Sequence, residues 1–142
     1  MLEFARNLLE SGGYTCVLTD GVTTYTSTLR GVRPLVQFVE MKEIPEGLFA
    51  SDKVVGKATA YLYVLLNIRA LYAKVISESA VAVLQQNGIA VQYESLVPHI
   101  INRSGDGICP FEEAVMEISD ARAAYSEILK KMNDLQIPIW NA

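Results

Sequence analysis

The chain reads as a single α/β domain built on a mixed five-stranded sheet with helices on both faces. Three observations predict this class. Helical and strand patterns alternate along most of the length, which calls for crossover connections and largely parallel pairing. Near the start, two Thr- and Tyr-rich segments are joined by Asp20-Gly21, a hairpin turn that supplies one antiparallel pair. The 142 residues suffice for one core, and no repeat, low-complexity stretch or linker divides them.

Leu2 to Glu10 carries apolar residues at helical spacing and is stopped by Ser11-Gly12-Gly13. Tyr14–Thr19 and Val22–Thr28 are the hairpin strands, with Cys16 as a core residue. Pro34 suits the first turn of a helix that runs through Leu35–Met41. Leu48-Phe49-Ala50, lying between two helices, reads as a short buried parallel strand. Ser51 then reads as the N-cap of a helix from Asp52 to about Leu66, apolar on most sides and therefore central. A strand over Ala70–Ile76 follows, then a helix capped by Ser77 or Ser79 that ends at Asn87-Gly88, then a strand from Ile89 to Tyr93. Leu96 to Cys109 is an irregular connection rich in turn formers. Pro110 opens a helix through about Ile118, and Asp120 caps a last helix through about Met132. The apolar ending Ile137-Pro138-Ile139-Trp140 is suited to packing as a tail or to touching another subunit. These last helices form a C-terminal extension of the 1–142 domain.

The formal charge of −4 with scattered Lys and Arg argues against an extended nucleic-acid surface. No apolar run approaches the ~18 residues needed to cross a bilayer, and the start lacks a signal-peptide pattern. A cytoplasmic chain with no membrane partner is expected. Cys16 and Cys109 match no disulfide or metal spacing, so both are expected to be free thiols.

Several stretches carry a resemblance. Hairpin, helix, strand, helix, strand, helix, strand is the order of the cytidine-deaminase-like fold, and Leu84-Gln85-Gln86-Asn87-Gly88-Ile89-Ala90-Val91 is similar to that superfamily's passage into its last shared strand. Arg30-Gly31-Val32-Arg33-Pro34-Leu35, Ser51 to Ala58, Val75-Ile76-Ser77, and Asn102-Arg103 through Cys109-Pro110-Phe111-Glu112-Glu113-Ala114 together resemble the family catalogued as domain of unknown function 1893. The resemblance covers nearly the whole chain. It implies a three-layer sandwich and self-association into a homo-oligomer, and it implies no known activity, substrate or cofactor.

A zinc deaminase needs H-x-E followed by P-C-x-x-C. Where the histidine and glutamate should stand, this chain has Arg30-Gly31-Val32-Arg33; where the cysteines should stand, it has Ser51-Asp52-Lys53-Val54-Val55. His99 restores nothing, and Cys109-Pro110 has its proline on the wrong side. No metal site and no cofactor are expected.

In such a fold, loops after the strands and the helix starts form a common crevice. Arg30, Arg33, Lys53, Lys57, Asn102 and Arg103 are the candidate ligand-binding residues there. Lys53 and Lys57, one helical turn apart at a helix start, suit a phosphate or carboxylate. Read blandly, the same lysines are solvated and Asp52 only favours the helix dipole. Asn102 either meets a ligand or satisfies its own loop. Cys109, before a proline-led helix, is the candidate nucleophile, assisted by Asp52 or Glu112; the plainer alternative is a half-buried thiol filling space beside Ile108. His99 reads as a packed loop residue. The expected function is metal-independent binding, extending to enzymatic modification, of an anionic or nucleotide-like small ligand. The alternative is a non-enzymatic regulatory or assembly module.

Overall fold

A computed structural model describes residues 1–140. In chain order the elements are α1 (Leu2–Gly12), β1 (Cys16–Thr19), β2 (Thr24–Ser27), α2 (Arg33–Met41), β3 (Phe49–Val55), α3 (Lys57–Leu65), β4 (Ala70–Ser77), α4 (Glu78–Gln86), β5 (Ala90–Val97), α5 (Pro110–Ala114) and α6 (Ala121–Asp134). The strands form one open sheet in the order β2-β1-β3-β4-β5. β1 is antiparallel to both β2 and β3, whereas β3, β4 and β5 run parallel. The sheet is therefore mixed, as the hairpin and the alternating pattern predict.

Side-chain alternation along the strands separates two cores. Val17 and Tyr72 face α1 and pack with its Leu9, while Cys16, Leu18, Ala50, Leu71 and Ala73 face the main core with α2, α3 and α4. Helices thus cover both faces of the sheet. Ser51 ties the smaller layer down, since its buried hydroxyl donates to Ala5 O at 2.7 Å. Arg6 adds a cation over the Tyr72 ring, 4.7 Å from its centroid.

The strand β3 corrects the expected boundaries. Ser51 is not an N-cap, and Asp52-Lys53-Val54-Val55 is not the first turn of a helix; all of them lie in β3. Cys16 opposes Asp52 on one side and Ala73 opposes it on the other, so backbone pairing on both flanks outweighs the local preference of Ser-Asp for a cap. The helix starts after Gly56 and is buried nearly all round, from Ala58 through Tyr63. That central position is as expected, because α6 and the sheet enclose it.

Other ends shift less. β5 extends to Val97, past the expected Tyr93, and α5 stops at Ala114, short of Ile118. Ser77 and Asp120 cap α4 and α6 as expected, accepting from Ala80 N and Ala123 N. Gly88, at φ 74°, supplies the left-handed turn after α4. The connection before α5 is not shapeless: Ile101 and Ile108 bridge antiparallel around a tight loop. Among the described residues, no helix is long and apolar enough to cross a membrane.

Replacing Ser51 by Ala removes the buried side-chain contact that joins β3 to the Ala5 carbonyl of α1. A loss of about 1 kcal/mol in chemical denaturation is expected, with faster amide exchange concentrated in α1.

Candidate functional site

Asp52 points from the middle of the sheet into the main core and is only 8% exposed. α3 crosses that face, so Tyr63 Oη donates to Asp52 Oδ2 at 2.6 Å. Cys16 Sγ lies 3.3 Å from the same tyrosine oxygen, and Val54 N donates to Asp52 Oδ1 at 3.3 Å. A thiol, a phenol and a carboxyl thus form one buried chain.

Burial raises the Asp52 pKa to about 7, against the Tyr63 and backbone hydrogen bonds that favour its ionised form. The Cys16 thiol is pushed well above its ordinary value by burial first and by the Asp52 charge second. Tyr63 is raised by the same two causes in the same order. Cys16 is therefore a protonated packing thiol at neutral pH, as its core position implies. Asp52 is the member of the chain that titrates in the physiological range.

A second carboxyl closes the start of α3. Glu112, on the first turn of α5, is 6% exposed and accepts the Lys57 backbone N–H on Oε2 at 2.6 Å. This meets one of the orphan donors at a helix start with a carboxyl oxygen. The carboxyl lies directly on Gly56, where an added Cβ would come within 2.8 Å of Glu112 Cδ and 2.9 Å of Oε1. Gly56 has an extended backbone that any residue adopts, so the requirement for glycine is one of space. Oε1 itself is buried and has no hydrogen-bond partner. An unpaired buried acceptor costs roughly 1–3 kcal/mol.

A family model for a domain of unknown function, DUF1893, matches residues 4–132. The chain belongs to the DUF1893 family. The crystal structure of a DUF1893 family protein from Thermotoga maritima, at 2.70 Å resolution, superposes with a TM-score of 0.85 and 28% sequence identity, covering 92% of this chain and 88% of that one. No curated protein sequence matches the chain at a significant level.

Within this DUF1893 chain the expected site residues fall into separate groups. Lys57, Glu112 and Gly56 meet at the start of α3, and Cys109 caps α5 one turn before Glu112. Cys109 is half-buried and packs against the main core. Lys53 does not share a helix face with Lys57, because it stands on β3; it lines a hollow with Leu9, Glu10, Gly13, Tyr72 and Lys74 on the α1 side. Lys57 Nζ instead donates to Met116 O at 2.9 Å. Asp52 turns both oxygens toward Tyr63 and Val54.

Arg30 is exposed before α2, while Arg33 donates to the carbonyls of Ile139 and Trp140. Asn102 takes the loop-satisfying role: its amide nitrogen donates to Asp106 Oδ1 at 3.0 Å and its oxygen accepts Asp106 N at 3.2 Å. Arg103 is exposed in that loop. His99 is exposed too, which corrects its reading as a packed residue. Among the described residues, no three His, Cys, Asp or Glu side chains stand close enough together to hold a metal ion.

Sequence reasoning missed Tyr63. The available signal was a tyrosine on an otherwise apolar helix, since a buried hydroxyl needs a partner.

Stability should depend on pH through Asp52. Its folded pKa of about 7 lies above the ordinary 3.8, so the folded state binds more protons between those values and stability falls as pH rises from about 4 to about 7. The full effect is on the order of 4 kcal/mol. Asp52→Asn keeps an acceptor for Tyr63 and removes the charge. Melting curves should show the variant's stability relative to the parent rising by several degrees between pH 5 and pH 8; parallel pH profiles would refute this.

Gly56→Ala should cost about 1–3 kcal/mol by overpacking, and much of that loss should disappear in combination with Glu112→Ala. Strict additivity of the two losses in denaturant titrations would show that the carboxyl is not what the methyl strikes.

Proposed function

We propose that this chain binds a small nucleotide-like molecule, without a metal, at the start of α3 beneath α5. The observation that carries the reading is the buried, unpartnered Oε1 of Glu112. A ligand offering an N–H or O–H, as a nucleobase edge does, would satisfy that oxygen. Lys57 supplies a cation at the same helix start for an anionic portion. The reading differs from a bare anion site, because the anion seat at the Lys57 N–H is already filled by Glu112 itself. Entry therefore involves displacement of α5, a five-residue helix preceded by a long connection.

A cytidine-deaminase-like classification belongs to the same proposal. It is supported by the β2-β1-β3-β4-β5 order with β1 as the antiparallel member, and by a helix that starts directly behind β3. Moving the helix start from Ser51 to Gly56 does not bring in zinc ligands, since Lys57-Ala58-Thr59-Ala60 has no cysteine or histidine. Cys109, placed three residues before Glu112 on the same helix, is the group to which a covalent step would fall.

One observation favours the second reading, an assembly module. β5 is an eight-residue edge strand without Lys or Pro, exposed along most of its length, with Tyr93 and Leu96 presented to solvent. Such an edge is a template for pairing with another chain.

Thermal denaturation against nucleosides, nucleotides, inorganic phosphate and simple carboxylates tests both. Stabilisation of about 2.7 kcal/mol is expected at a hundredfold excess over the dissociation constant. It should be lost in Glu112→Ala and reduced in Lys57→Ala. If none of these compounds shifts the melting of a protein whose stability rises with its own concentration, the ligand reading fails and the assembly reading stands.

A further inference from the structure

Arg33 carries a permanent charge but is held by neutral oxygens. Its Nε donates to Ile139 O at 3.3 Å and a terminal nitrogen donates to Trp140 O at 2.7 Å. Gln37, one turn further along α2, gives Nε2 to Ile139 O at 2.6 Å. Among the described residues no carboxylate pairs with the guanidinium, and the single ion pair is Arg6 with Glu10.

A planar fork closed on two oxygens is the arrangement by which arginine recognises carboxylate and phosphate, and bonds to an ionised acceptor are roughly twice as strong as bonds to a neutral one. Two successive peptide carbonyls here stand in the place of an oxyanion's two oxygens. They are weaker acceptors than the group whose geometry they copy.

The segment that supplies them is anchored separately. Ile137 N donates to Met132 O at 2.8 Å, and Ile137 and Ile139 lie against the main core. Only the end of the segment depends on Arg33, and Trp140 there is 51% exposed. The position is also telling. Ser27, Cys16 and Asp52 form one row across β2, β1 and β3, and β2 runs in the same direction as β3. The helices that follow these strands, α2 and α3, therefore start at the same end of the sheet, the end at which ligands enter open α/β folds.

We propose that Arg33 and Gln37 form an oxyanion seat, for the carboxylate or phosphate group of a ligand, which the chain's own C-terminal carbonyls occupy as an internal ligand. An incoming oxyanion takes the guanidinium and releases Trp140, the exposed end of the segment. The proposal does not rest on the Glu112 reading, because it uses no residue of that site.

Trp140 is the one tryptophan in the chain, so its fluorescence reports the seat directly. Acrylamide quenching would be measured on the full chain as inorganic phosphate, acetate or, at matched ionic strength, sodium chloride is added. A saturable rise of at least about twofold in the quenching constant is expected with phosphate or acetate and none with chloride. A response to phosphate alone assigns the seat to phosphate groups, and a response to acetate alone assigns it to carboxylates. Arg33→Ala should begin at the high value and respond to neither ion; Gln37→Ala, a milder change, should begin between the two and still respond to the oxyanion that acts on the parent. The proposal is overturned if chloride acts as well as the oxyanions, if neither oxyanion changes the parent, or if both variants quench like the parent.

Discussion

A carboxyl resting on a glycine closes this molecule at the point where its central strand becomes its central helix. α3 is enclosed by the sheet on one side and by α6 on the other, so its first N–H groups cannot all turn to water. A buried helix start needs internal acceptors. Glu112 provides one for Lys57, but only because residue 56 has no side chain. The sequence constraint on Gly56 is thus imposed from 56 residues away, by a helix that packs against α3 rather than by the turn in which the glycine lies.

The same helix carries a second polar commitment into the core. Tyr63 reaches across to the middle of β3, where Asp52 and Cys16 are opposite each other in neighbouring strands. A phenol between a carboxyl and a thiol satisfies three groups that would each be costly alone. Burial still wins over the hydrogen bonds at Asp52, which is why its pKa ends near 7 rather than below the carboxylate range. The interior therefore holds one group whose charge changes around neutrality, at the residue next to the one that ties down α1. Charge at Asp52 and the packing of the smaller layer are linked through a single strand.

What was legible in the sequence follows the range of the interactions involved. Pro34, Ser77, Asp120 and Asn87-Gly88 act within one turn of chain, and each marks its element correctly. Cys109 and Glu112 are three residues apart on one helix, so their neighbourhood could be read directly. The β3–α3 boundary could not, since Ser51 and Asp52 have strong local preferences for a helix start and lose to partners at Ala5, Cys16, Tyr63 and Ala73. Lys53 was misplaced with them. One wrong boundary moved it from the α1 side of the sheet to the start of a helix, and the expected pairing with Lys57 vanished with the correction. Arg33 was recognisable as a cation at a helix start, but its partners lie more than a hundred residues further along.

These long-range contacts have a common direction. The first hundred residues build the sheet and the helices laid on it, leaving the starts of α2, α3 and α4 at one end. The last third of the chain then returns to that end twice. α5 brings Glu112 onto α3, and the segment after α6 brings two carbonyls onto Arg33. In each case a polar group at a helix start is matched by an acceptor from the chain itself: among the described residues, Glu112 keeps a buried oxygen without a partner and Arg33 has no carboxylate partner. The C-terminal third thus closes the starts of α2 and α3 with groups of its own chain.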